Sequence, residues 1–113
     1  MIEILVGANV VDPAMYTEYR AQMTPLLEAY GGSFGVDVLV AEVLRAPEPV
    51  RFNRLFTMRS PSVERMDTFF AHPEYLAVRK RLFEPSVSEI HQLARYQVLP
   101  SRTDEARRIA EGR

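Results

Sequence analysis

An α+β domain, in which a four-stranded antiparallel sheet carries helices on one face, is the fold this 113-residue sequence predicts. Three observations predict it. The stretch between Asp12-Pro13 and Tyr30-Gly31-Gly32 is a helix marked at both ends, and strand-like runs flank it on either side. A second helical stretch, opened by Ser60-Pro61, separates the third such run from a fourth. The resulting order, β-α-β-β-α-β, is the split-βαβ or ferredoxin-like plan.

Each element has its own local cause. Residues 2–10 place Ile2, Ile4, Val6, Ala8 and Val10 on one face of a strand and Glu3, Leu5, Gly7 and Asn9 on the other. Asp12 opens the first helix, because its carboxylate accepts from the unpartnered N–H groups of the first turn. Pro13 supplies a first position that needs no N–H. Tyr16, Tyr19, Met23, Leu26 or Leu27, and Tyr30 recur at three- and four-residue spacing, which predicts a core-facing stripe over about 13–30. Pro25 removes one bond late in this helix and predicts a kink. Gly31-Gly32 ends it, since the residue beyond the last turn usually needs positive φ.

Residues 34–44 are rich in β-branched side chains and predict the second strand. Ala46-Pro47-Glu48-Pro49 is turn chemistry, and Val50 to Arg59 returns as a third strand. After Ser60-Pro61 a short helix directs Val63, Met66, Phe69 and Phe70 inward. His72-Pro73 interrupts it and starts a helical piece through about Phe83. Pro85 opens a turn to about His91, and Leu93 to Leu99 forms the last strand, stopped by Pro100. The domain thus spans 1–100. Residues 101–113 are a charged tail, mobile or docked on a partner, too short for a stable isolated helix.

Composition excludes several function classes. Net charge is −1, with 14 basic and 15 acidic residues spread along the chain, which excludes the clustered basic face that nucleic acid requires. With no cysteine there is no disulfide framework, thiolate metal site or cysteine nucleophile. No run reads as a signal peptide or a membrane span, so the cytoplasm is the expected location. The sequence has no Gly-rich phosphate loop and no Ser-His-Asp constellation. No cofactor is expected.

The second strand is apolar on both faces, with Phe34, Val36, Val38, Val40 and Leu44 on one side and Leu39, Ala41 and Val43 on the other. A sheet that met water opposite its helices would be polar there. A second copy packed sheet against sheet is the simplest closure, so a homodimer is expected.

Tyr16-x-x-Tyr19, Pro25, Tyr30-Gly31-Gly32, Ser60-Pro61-Ser62 and Pro73-Glu74-Tyr75-x-Ala77-x-Arg79 together resemble the domain-of-unknown-function thirteen-thirty family, over roughly residues 2–99. That family belongs to the dimeric α+β barrel superfamily. The resemblance implies a homodimer whose sheets face one another and a pocket between sheet and helices in each subunit. It implies no reaction: the superfamily includes cofactor-independent monooxygenases, haem-degrading enzymes, lactone isomerases and members without known activity. The chain departs from the family at Phe34-Gly35-Val36-Asp37, where a glycine- and arginine-rich run is more usual, and in its extended tail.

Arg54 is the candidate ligand-binding residue most unusual by position, since it alternates with Phe52, Phe56 and Met58 on one strand face. With the hairpin tip at Pro47-Glu48 it faces Ala41. Asp37 then lies about four residues along, roughly 13 Å at strand rise, too far to pair. An unpaired cation in such a setting calls for an anion, supplied by a ligand or a partner subunit; the competing reading is an edge arginine reaching water. Glu42 and Arg51, diagonal neighbours on the other face, make an ordinary ion pair. His72 and His91 titrate near neutrality and are the candidate proton carriers. His72 precedes Pro73, where it could equally cap a helix. Nineteen residues apart and without paired carboxylates, the two histidines match no metal-ligand spacing, and no metal is expected. Tyr16 and Tyr19 either line the pocket or fill the core.

Two function classes follow. One is a homodimeric barrel that binds a small aromatic or acidic molecule, with cofactor-independent isomerase, cyclase or monooxygenase chemistry by orientation and proton transfer. The other is a non-catalytic binding or assembly domain. A cavity reaching Arg54 and a histidine favours the first; a pocket packed shut by Phe52, Phe56 and Phe70 favours the second.

Overall fold

The computed structural model describes residues 1–98. In chain order these form β1 (Ile2–Val10), α1 (Pro13–Ala29), β2 (Ser33–Leu39), β3 (Arg54–Ser60), α2 (Val63–Ala71), α3 (Pro73–Val78) and β4 (Val87–Gln97), with a π-helical turn, Arg79–Phe83, continuing α3. The sheet is ordered β2-β3-β1-β4 and every neighbouring pair is antiparallel. This is the predicted ferredoxin-like α+β fold. The C-terminal tail lies outside the described residues.

The alternation of β1 decides where the core sits. Ile2, Ile4, Val6 and Ala8 are buried on the helix side, against Tyr16, Tyr19, Met23 and Leu27 of α1 and Phe56 and Met58 of β3. Asp12 Oδ1 accepts from the Met15 N–H at 3.1 Å, which starts α1 as predicted. Pro25 lies inside the helix, which continues to Ala29. At the far end Gly31 takes φ +78°, and Gly32 N–H donates to the Leu27 carbonyl at 3.0 Å. Among the described residues no helix is long and apolar enough to cross a membrane.

The structure corrects four boundaries. β2 ends at Leu39 and β3 starts at Arg54, so Val40 to Asn53 is a long connection rather than a continued hairpin. The ladder closes at Val40 N–H to the Asn53 carbonyl, 2.8 Å. Asn53 then turns to β1: its N–H donates to the Ala8 carbonyl, and its side chain pairs with both backbone groups of Val10. Within that connection Leu44 is 88% exposed. α2 is capped by Ser62 rather than Ser60: Ser62 Oγ accepts from Arg65 N–H at 3.1 Å, while Ser60 is buried at the end of β3. Val63 on that helix is 38% exposed, whereas Met66 and Phe69 point inward as predicted. β4 begins at Val87, six residues before the expected Leu93, because Pro85 ends the helical turn and pairing with β1 resumes at Val87 opposite Val10.

A further difference matters most for the site. Phe34 faces Met58 and Asp37 faces Phe56, so three steps along β2 match two along β3. That extra residue is a β-bulge, and it reverses the parity of everything after it. Phe34 and Asp37 therefore share the helix side, while Val38, opposite Leu55, faces the open side, contrary to the predicted grouping of Phe34, Val36 and Val38. Gly35 permits the bulge, since a Cβ there would stand 2.3 Å from Thr57 Oγ1. That hydroxyl accepts the Val36 N–H freed by the bulge, at 2.8 Å.

Candidate functional site

A cavity of about 210 Å³ lies between the sheet and the helices. Its sheet wall comes from Ile4 and Val6 of β1, Phe34 of β2, Phe56 and Met58 of β3, and Ile90 and Gln92 of β4. α1 contributes Tyr16, Tyr19, Arg20 and Met23. Phe70, Tyr75, Arg79 and Phe83 close the remaining side. An apolar cavity of about 150 Å³ suffices for benzene, so this one accommodates a single substituted ring.

Arg20 is its dominant polar group. The guanidinium carbon lies 4.0 Å from the Phe34 ring centre and 4.5 Å from that of Phe56, cation–π contacts to two rings that meet edge-to-face. Its Nε donates to the Tyr16 hydroxyl at 2.8 Å, and Nη1 to Asp37 Oδ2 at 3.3 Å. Nη2 is buried and has no hydrogen-bond partner among the described residues. Leaving a buried charged donor unmade is costly, so this atom is disposed to take an acceptor oxygen.

Asp37 links Arg20 to Arg54. Arg54 Nε donates to Oδ1 at 2.7 Å and Nη2 to Oδ2 at 2.8 Å, a two-pronged pair. The Arg54 hydrogen bond is the main reason the Asp37 carboxyl is held below its ordinary 3.8; in return Asp37 raises the pKa of Arg54. The expectation of an unpaired Arg54 is thereby overturned. The bulge and the earlier end of β2 set Arg54 opposite Leu39, so Asp37 is its diagonal neighbour instead of four residues distant.

A second polar group occupies the α3 side. The hydroxyls of Tyr19 and Tyr75 are 2.9 Å apart, and Arg79 Nη1 reaches the Tyr75 hydroxyl at 3.5 Å. Burial, reinforced by Tyr75, drives the Tyr19 pKa well above its ordinary value. Burial also raises that of Tyr16, against the lowering influence of Arg20. Both phenols are therefore neutral donors near pH 7.

Of the residues singled out from sequence, Tyr16, Tyr19 and Phe56 line the cavity. Arg54 stands behind Asp37, with its guanidinium carbon 5.2 Å from the Tyr16 ring centre. Phe52 precedes β3 and lies over Gly7 on the open side of the sheet, where a Cβ on Gly7 would meet its ring at 2.8 Å; it does not share the face of Phe56. His72 Nδ1 accepts from Glu74 N–H at 3.1 Å, the capping role, and its ring packs on Tyr30. His91 pairs opposite Gly7 on the open side and approaches Glu89 at 3.3 Å. Neither histidine lines the cavity. Arg51 pairs with Glu89 at 2.9 Å rather than with Glu42, which lies in the β2–β3 connection. Among the described residues no three His, Asp or Glu side chains gather as a metal site.

Sequence reasoning missed Arg20, Asp37's role, and Tyr75 with Arg79. A signal for Arg20 was present: it occupies the position four after Tyr16, inside the stripe Tyr16, Tyr19, Met23. A cation on an otherwise apolar helix face faces either water or a site. Tyr75 on α3 and Arg79 in the turn that continues it stand in the same relation.

The family model described as Domain of unknown function (DUF1330) matches residues 4–96. No curated protein matches the sequence. Among solved structures, a protein of unknown function from Rhodopseudomonas palustris is 19% identical with a TM-score of 0.70, over 88% of this chain and 83% of that one. SnoaB, a cofactor-independent oxygenase from Streptomyces nogalater, is 14% identical with a TM-score of 0.59, over 89% and 95%. A dimeric ferredoxin-like protein of unknown function from Thermobifida fusca is 12% identical with a TM-score of 0.56, over 86% and 90%. At such identities the likeness establishes the fold alone. The match across β1 to β4, carried on a ferredoxin-like sheet with its helices on one side, shows that the chain belongs to the DUF1330 family.

Proposed function

We propose that the cavity binds a small aromatic molecule bearing an anionic or carbonyl oxygen, and that Arg20 takes the anion-holding role assigned from sequence to Arg54. The observation that carries this reading is Arg20 in the wall of an aromatic-lined cavity, with its Nη2 buried and unpartnered among the described residues. Apolar walls with a few placed polar groups are the usual make-up of a small-molecule site. Chemistry on such a ligand would be cofactor-independent orientation and proton transfer, with the Tyr16 hydroxyl, hydrogen-bonded to Arg20, as the nearest proton donor. A cofactor-independent oxygenase shares this fold, so the fold is compatible with chemistry of that class.

Benzoate is the simplest probe. It raises the melting temperature of the wild-type chain by mass action, and Arg20→Gln lowers its affinity about 10- to 100-fold, the range for losing a charged hydrogen bond. Wild-type affinity retained in Arg20→Gln sinks the assignment.

The same proposal includes a homodimer joined through the open faces of two sheets. Leu5, Leu55, Val38 and Tyr96 put apolar surface on that face, although Glu3–Arg59 and Arg51–Glu89 make it more mixed than the sequence predicts. Sedimentation at micromolar concentration gives a dimer of the 12.9 kDa chain on this reading. A stable monomer overturns it.

A further inference from the structure

The cavity holds an excess of donors that a single oxygen would not satisfy. Tyr16 accepts from Arg20 Nε, and its own O–H has no acceptor among the described residues. In the Tyr19–Tyr75 pair one hydroxyl donates to the other, which uses one of two O–H groups. Arg79 approaches Tyr75 as a further donor, so the second phenolic proton is left without a described acceptor. Arg79 makes no ion pair among the described residues, while Arg20 and Arg54 share one carboxylate, Asp37. Apart from the phenol oxygens, Gln92 supplies the only strong side-chain acceptor in the lining.

The two donor groups are also distinct. Arg20 and Tyr16 sit by the aromatic rings of β2 and β3, whereas Tyr75 and Arg79 belong to α3 and the turn after it, with Arg79 over Phe83. They share no hydrogen bond.

We infer that the ligand of this site is a flat aromatic molecule with acceptor oxygens at two ends, one held by Arg20 and Tyr16 and the other by the Tyr19–Tyr75 pair and Arg79. The inference rests on the binding role proposed above and adds the second end. Donors facing the cavity from both groups disfavour a ligand whose far end is apolar, because binding it would strip water from them without replacement. A ring with two substituents remains within the size the cavity allows.

Benzoate and terephthalate separate one end from two. Calorimetric titration of the full chain gives terephthalate at least tenfold tighter than benzoate, one further charged hydrogen bond being worth about that factor. Arg79→Gln removes this preference, and Arg79→Lys, which keeps the charge, retains part of it. Circular dichroism establishes that each variant is folded. Benzoate binding with no gain for terephthalate overturns the second end and leaves the Arg20 site standing. Failure of both to bind the wild type overturns both readings. Equal weakening of both probes in Arg79→Gln marks a structural role and overturns the assignment of Arg79.

Discussion

Phe69→Ala lowers the free energy of unfolding by about 3–5 kcal/mol, the usual cost of truncating a fully buried phenylalanine. Phe69 is 0% exposed and its ring lies 4.5 Å from that of Tyr75, 5.1 Å from Phe70 and 6.4 Å from Tyr30. The substitution loses the transfer energy of the ring and leaves a hole that α2, pinned by its Ser62 cap and by α3, closes only in part. Tyr75 and Phe70 also form the wall of the cavity. The variant should therefore lose benzoate affinity together with stability. Urea unfolding at neutral pH checks the first effect; a loss below about 1 kcal/mol would mean that the aromatic cluster is not the structural centre of the helical layer.

Asp37→Asn removes about 2–3 kcal/mol at pH 7, because one carboxylate serves two arginines. The figure is set below that for a fully buried pair, since the Asp37 and Arg54 side chains are 29% and 25% exposed. Its pH dependence follows from linkage. The folded-state pKa of Asp37 lies below its unfolded value, so its contribution is whole above about pH 4. The contribution then disappears as pH falls from the ordinary 3.8 through the lower folded value. Wild type and Asp37→Asn thus differ most near neutrality and converge in acid. Urea titrations at pH 7 and pH 3 measure this. A difference that stays constant between them would show that the carboxylate's charge is not what matters. Because Asp37 also orients Arg20, the variant should bind benzoate more weakly at pH 7.

How much of this was legible follows from the range of the interactions. β1 and α1 were readable to within a residue because their determinants are local: strict alternation in one, Asp12-Pro13 and Gly31-Gly32 in the other. Tyr16 and Tyr19 were placed correctly for the same reason. The β2–β3 hairpin was misread because its register depends on a bulge at Gly35-Val36. No periodicity marks that bulge, which is stabilised by Thr57 from the neighbouring strand. That inserted residue and the earlier end of β2 set Asp37 beside Arg54 and converted an apparently free cation into a paired one, while Phe52 leaves the alternation because β3 begins only at Arg54 and Asn53 is tied to β1. Arg20 escaped notice because its environment, Phe34 and Phe56, is assembled from distant segments. Titration near neutrality made the two histidines candidates without regard to position, whereas the place of His72 before Pro73 pointed to the helix cap it forms.

The most direct test of the central claim uses the methionines. Met23 and Met58 line the cavity, whereas Met1 and Met15 do not. In a chain labelled with methyl-13C methionine, benzoate should shift the Met23 and Met58 methyl resonances along one saturable curve and leave Met1 and Met15 in place. Shifts confined to Met1 or Met15, or no saturable shift at Met23 and Met58, would contradict the assignment of this cavity as the binding site.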